Sequence, residues 1–511
     1  MINRLGSRAL ELDWKTAMFG LGVLAILAVS IEASYELAVG GPKLLVVIPL
    51  TVLLGLALVV IGLVNFQLFV FITIAIRASL DIARPDLGNN GAAGIGTAQA
   101  SGLDPAGALA VVFMVASLFW FMARRMSKAT SPPPSVHRLA LSLFAVTGFL
   151  SVIASARPLI SLLEAIRVSA VAVMLAVMEI LLVDRVAIKR LLLAIYLSAL
   201  LPVGLTLFDI LLHKPQFSSG GFDRYQGTFS QPNPFAIYLT MLLIMGAALL
   251  PQLKIRVRIL MIVFMVAEVV CLYHTYTRSA WVAAVIGLVA VAVIGRRKVL
   301  GAALFASIVI GLLAVPTIGQ RFADLASVAG GTTVNSQGNT SNSLAWRFDY
   351  WGQVLPLAAQ NPVTGIGLKM STFMTDQAKE PHNDFLRAFV ETGIVGALAY
   401  FALLISMAMV AREGLKLAGP GFDRSVAVGF AGCAIAFVLI SVVSNVITEV
   451  IVLWYYVAFA AAAYAITKFP ASEREPGREP EPKPEPKRKR KPAKPAQKVR
   501  RLEPEVGPSQ G

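Results

Sequence analysis

Long apolar runs recur along almost the whole 511-residue chain. About 20 apolar residues suffice to cross the hydrocarbon core of a bilayer as an α-helix. In lipid, only helices and closed barrels satisfy their own backbone polar groups. The continuous apolar runs therefore predict an all-α polytopic membrane protein of about fourteen helices. The expected spans lie near 17–34, 43–62, 64–80, 106–123, 137–155, 163–183, 188–212, 233–250, 256–275, 279–295, 298–316, 385–411, 425–445 and 449–467. The third is short enough to be re-entrant. Composition agrees, with 57% hydrophobic and 14% charged residues, where soluble domains carry about a quarter charged. A soluble enzyme with a single anchor is excluded.

Basic clusters test the count. They fall at Arg4/Arg8/Lys15, Arg124/Arg125/Lys128/Arg138, Arg185/Lys189/Arg190, Lys254/Arg256/Arg258, Arg296/Arg297/Lys298, Arg412/Lys416/Arg424 and in the C-terminal tail. Basic residues concentrate in cytoplasmic loops. With about fourteen helices and both termini inside, every cluster lies in the cytoplasm. Both termini and the basic loops are therefore expected on the cytoplasmic side of the membrane. The apolar run near Thr16–Ser34 reads as a first membrane helix rather than a cleaved signal. The tail, with "PEPKPEPKRKRKPAKPAQKVRR", has almost no apolar residue and is expected to be disordered from about Ser472. Beside a membrane such a run meets anionic lipid rather than nucleic acid. The chain thus divides into helices over 1–212, a helical core over 213–468 with a long external loop near 317–384, and the tail over 469–511. Cys271 and Cys433 both sit in apolar runs, which argues against a disulfide framework or a thiolate metal site.

The polar residues left outside are informative. "EPHNDFLRAFVETG", Glu380 to Gly393, opens an apolar run, and polar groups at the mouth of a membrane helix are costly to desolvate. External arginines occur at Arg224, Arg278, Arg347 and Arg387, with Arg157 and Arg167 near the outer end of the sixth helix. A single outer arginine is ordinarily a snorkelling anchor or an acid's partner. Arg387 has Glu391 one helical turn on, Arg347 has Asp349 nearby, and Arg278 has no acidic neighbour in sequence. Together they suggest an anion site, since guanidinium forks grip phosphate oxygens in a bidentate way. Tyr225 and the neighbouring aromatics fit an interfacial belt or sugar stacking. His382 can take a proton from a hydroxyl, Asn383 and Asp384 being the better helix caps. His274 is the competing histidine; His137 and His213 look peripheral. Neither a clustered metal motif nor a convincing carboxylate pair is present, and no cofactor is expected. "GIGTAQ" follows no strand and is not a dinucleotide loop.

The segments "RYQGTFSQPNPFA", "TYTRSAWVAAVIG", "NPVTGIGLKMSTF" and "PHNDFLRAFVETGIVGALAYF", in this order with a long loop before the last, resemble the O-antigen ligase and O-antigen polymerase superfamily. The resemblance covers roughly Arg224 to Phe401. It implies a helical enzyme that moves a glycan from a polyprenyl diphosphate to an acceptor hydroxyl on the periplasmic face, without metal or nucleotide. It further implies that Arg224 and Arg278 hold the diphosphate, that Arg347 supports them, and that His382 activates the acceptor. Implied partners are the lipid-linked donor, a glycan or lipid-linked acceptor, membrane lipids, and polysaccharide export or chain-length proteins. The extra helices, the 81–105 segment and the basic tail depart from the family pattern. The alternative is a transporter or flippase of lipid-linked or anionic substrates, which would place charges near the bilayer midplane and repeat its halves.

Overall fold

The computed structural model describes residues 55, 57–83, 105–128, 133–219, 222–314, 343–376, 379–469 and 511. The first expected span, the greater part of the second (43–62) and of the 81–105 segment, the Gly-rich patch around 329–342 and nearly all of the tail lie outside the described residues.

The remainder is helical. In chain order the helices are α1 (Phe66–Arg77), α2 (Pro105–Met126), α3 (Val136–Ser151), α4 (Pro158–Leu181), α5 (Arg185–Ser198) and α6 (Leu200–Leu211). A hairpin of β1 (Phe217–Ser219) and β2 (Phe222–Arg224) follows. Next come α7 (Pro232–Leu249), α8 (Ile255–His274), α9 (Arg278–Ile294), α10 (Lys298–Ala314), α11 (Ser343–Val354), the short α12 (Met370–Phe373), α13 (Asp384–Leu417), α14 (Phe422–Val443) and α15 (Val450–Ala465). Eight stretches among the described residues are long and apolar enough to cross a membrane. They coincide closely with the runs read from sequence, so the protein is an integral membrane protein of many apolar helices. The run at 188–212 is α5 and α6 meeting at Ala199, a combined 27-residue span. The run at 64–80 is the 12-residue α1 followed by a 3-10 turn at Leu80–Ala83.

Local chemistry sets the helix starts. Asn65 accepts from Leu68 N, Ser135 from Arg138 N, Asp184 from Ala187 N and Asn383 from Leu386 N. Each side chain satisfies an amide that the first turn leaves open. Pro158 and Pro232 begin α4 and α7, where a missing N–H costs nothing.

α7 and α15 are buried almost end to end. α7 packs against α9 and α14, α15 against α4, and α13 against α3 and α14. Among the described residues Trp454, Tyr238, Tyr350, Tyr400 and Tyr455 are the largest fully buried aromatic anchors. One close approach is at Gly287 of α9 and Gly432 of α14, which meet around Ile244 of α7. A Cβ on Gly287 would stand 2.2 Å from Ile244 Cδ1. Without a hydrophobic drive between helices in lipid, such small-residue contacts hold the bundle.

The bundle has two chemically distinct ends. At one, Arg185 pairs with Asp423 at 2.9 Å and stacks on Phe469. There Arg297 donates to Ala247 O and Ala248 O at the end of α7, and Arg424 to Leu415 O. The helix starts of α7, α9, α13 and α15 gather at the other end, beside the β1–β2 hairpin.

Candidate functional site at the hairpin end

Register places Arg224 opposite Phe217 at the hairpin base. Its guanidinium donates from Nε to Thr275 O at 2.7 Å, and from one terminal nitrogen to Asn233 Oδ1 at 2.8 Å and Thr277 Oγ1 at 2.9 Å. Arg224 thereby ties the hairpin to the starts of α7 and α9. Tyr225 is buried and donates its N–H to His274 O at 3.1 Å. Arg278 is the first residue of α9, so it stands at a helix N-terminus. Arg347 lies on α11, inside the region read from sequence as a loop. Its Nε is buried and has no hydrogen-bond partner among the described residues. Burial, and then the nearby charge of Arg278, push its pKa down to about 10.

His382 precedes α13 in the left-handed region, with φ 52°. Its ring stands edge-on to Trp346 of α11, centroids 5.8 Å apart. Burial, followed by the charges of Arg347, Arg387, Lys379 and Arg224, pushes the imidazole pKa down to about 3. The same field therefore joins Arg224, Arg347 and His382, and Arg278 acts on Arg347. Four separate segments converge here: β2, the start of α9, α11 and the approach to α13.

The supporting residues have structural partners. Asn383 is the cap of α13. Asp384 is fully buried; its Oδ1 accepts from Val446 N at 2.9 Å and Ile447 N at 3.1 Å, and its Oδ2 from Tyr400 at 3.2 Å. Arg387 is 1% exposed. It pairs with Glu391 at 3.0 Å and Glu380 at 3.2 Å, and donates to Thr448 Oγ1 at 2.7 Å. Glu391 also accepts from Lys369 N at 2.7 Å and Ser371 Oγ at 2.5 Å. The "NPVTGIGLKMSTF" segment is thus pinned to α13 by one carboxylate. Tyr350 donates to Lys379 O, and Trp351 to Pro381 O at 2.6 Å, so α11 holds the strand of chain that carries His382.

Several residues of the site escaped the sequence reading: Lys379, Asn445, Thr448 and Glu449. The last three occupy the turn between α14 and α15. The signal was present as "SNVITE", a polar break between two apolar runs on the same side as His382. His274 bonds Val270 O through Nδ1 at 2.8 Å and packs on Tyr225 and Tyr273. His137, which looked peripheral in sequence, is buried and lies 2.8 Å from Glu179, far from His382 at the basic end. Among the described residues no group of three His, Cys, Asp or Glu is placed to hold a metal ion.

Residues 260–401 match the family model described as O-Antigen ligase. Over this stretch the chain is similar to O-antigen ligases, which supports the resemblance read from its motifs. Comparison with curated proteins finds no match. The matched O-antigen ligase stretch contains Arg278, Arg347, His382 and Arg387; Arg224 and Asn445 fall outside it.

Proposed function

We propose that this protein is a membrane glycan transferase. It moves a polyprenyl-diphosphate-linked oligosaccharide or polysaccharide to an acceptor hydroxyl at the periplasmic face, as an O-antigen or exopolysaccharide polymerase or ligase. The observation that carries the reading is Arg347. A guanidinium with a buried, unpartnered Nε, whose charge is opposed by burial and by Arg278, is stabilised by an anion between the two. Arg224 stands in the same field, held rigidly by three hydrogen bonds. Guanidinium groups from three arginines suit a diphosphate. A lipid diphosphate is already a good leaving group and needs its developing charge stabilised. Arginines supply that charge in place of a metal. His382 lies in the same field, within reach of those charges.

The test is transfer from a purified lipid-diphosphate donor by the full-length protein in detergent or vesicles. Arg278→Lys keeps the charge and loses the fork, so it and Arg347→Ala should each lower the rate by about 10²–10³-fold, with weaker donor binding at matched protein level. Transfer should continue in EDTA. Wild-type-like transfer by Arg347→Ala, or loss in EDTA with rescue by a divalent ion, overturns the reading.

A further inference from the structure

The left-handed backbone of His382 turns its own N–H and its ring toward one neighbour, Asn445. The N–H of His382 donates to Asn445 Oδ1 at 2.8 Å, and Asn445 Nδ2 lies 3.0 Å from His382 Nδ1. A backbone amide can only donate, so the oxygen of Asn445 faces it and the nitrogen faces the ring. An NH2 group can only donate, so Nδ1 accepts and carries no proton. The single proton of the neutral ring then sits on Nε2. Among the described residues no hydrogen bond reaches Nε2. Asn445 is 4% exposed, and its turn is anchored through Val446 N and Ile447 N on the buried carboxylate of Asp384. Turning the amide over would face two acceptors or two donors against each other.

We propose that Asn445 is a positioning residue that fixes His382 as its Nε2–H tautomer, so that the imidazole donates a hydrogen bond to the departing diphosphate instead of taking the acceptor's proton. This rests on the glycan-transfer reading. In that step the acceptor oxygen bonds to the anomeric carbon. The bond from that carbon to the phosphate oxygen breaks, and its electron pair stays on the diphosphate. The acceptor proton passes to a diphosphate oxygen, and His382 ends the step in the protonation state in which it began. The surroundings agree. Arg347 on α11, Lys379 ahead of the histidine, Arg387 on α13 and Arg224 on β2 all oppose an imidazolium. The nearby carboxylates Glu380 and Glu391 are paired with Arg387. These cations favour an anion within reach of the ring, which is where an Nε2–H is useful.

The experiment compares transfer by full-length His382→Gln, His382→Ala and Asn445→Asp with the wild type from pH 5.5 to 8.5, using a lipid-diphosphate donor. Glutamine offers an N–H near the Nε2 position and cannot act as a base. It should stay within about tenfold of wild type, while alanine falls by about 10²–10³-fold. In Asn445→Asp the carboxylate accepts from the His382 N–H and draws the ring proton to Nδ1, removing Nε2–H from the neutral ring. The new carboxylate beside Nδ1 also favours the imidazolium and lifts the ring's low pKa toward the assayed range, so the rate should fall at pH 8.5 and recover as pH drops and the ring gains its second proton. A merely structural asparagine would not produce that slope. His382→Gln as inactive as His382→Ala, or Asn445→Asp whose rate rises with pH, overturns the proposal and leaves glycan transfer standing. The His382→Gln comparison decides alone if Asn445→Asp fails to accumulate. Absence of transfer by the wild type itself overturns the functional reading instead.

Discussion

Arg387 shows why a charge at a helix mouth need not touch substrate. It is 1% exposed, with Glu391 fully buried beside it and Glu380 on its other side. Removing one member of a buried pair strands the other charge, typically at about 3–5 kcal/mol. Arg387→Ala should therefore lower thermal stability in detergent by that order, and a smaller loss in transfer per folded molecule is expected. Glu449 provides a pH test. Burial, and then the charge of Glu380, raise its pKa to about 8. The folded protein keeps a proton that the unfolded chain has already released, so stability falls as pH rises from the ordinary carboxylate range toward the folded value. Glu449→Gln should raise the apparent Tm at pH 8.5 and leave it unchanged near pH 4; an equal shift at both would remove the titration from consideration. At this scale the arginines and His382 were legible in sequence because outer cations are rare and need a reason. Asn445 was not, because its meaning comes from a backbone amide and a ring 63 positions away.

Among the elements, α13 matters most for the site. It runs from Asp384 to Leu417 but breaks at Gly393, with φ 68° and ψ −171°. Across the break, Ile366 N bonds Val390 O, Gly367 N bonds Glu391 O and Ile394 N bonds Pro362 O. The "NPVTGIG" segment therefore takes the amide bonds that a continuous helix would have kept. A Cβ on Gly393 would stand 2.1 Å from Val363 O, and alanine at such a φ is itself strained by about 1–2 kcal/mol. Gly393→Ala should destabilise the protein by more than that strain. It should also open the 362–373 segment to proteolysis, read by limited digestion against wild type. Apolar length made the membrane helices legible, since desolvation in lipid leaves the backbone few other options. α11 was missed for the converse reason. It buries one aromatic face, Trp346 and Tyr350, and leaves Phe348 and Asp349 exposed, so its mixed polarity reads as loop. The break in α13 was missed because glycine within an apolar run is ordinary in membrane helices.

Over the whole molecule, position along the bundle separates two kinds of arginine. Arg185, Arg297 and Arg424 close helix ends and pair with carbonyls or Asp423 at one end. Arg224, Arg278, Arg347 and His382 meet at the other. Cytoplasmic loops collect basic residues, so the first end is expected inside and the site outside. The two cysteines, Cys271 and Cys433, are both buried, which leaves a quiet background for thiol labelling. Asp376 is exposed at the site end, and Lys416 is exposed at the basic end. In cells with a permeabilised outer membrane, Asp376→Cys should react with a membrane-impermeant maleimide, and Lys416→Cys should react only after the inner membrane is opened. The opposite pattern would put His382 and the arginines in the cytoplasm. A periplasmic transfer reaction could not then be run by this site, whatever its chemistry. Labelling of both positions in intact inner membrane would mean that the two ends do not face opposite compartments, and the alternation of basic loops would lose its meaning for this bundle.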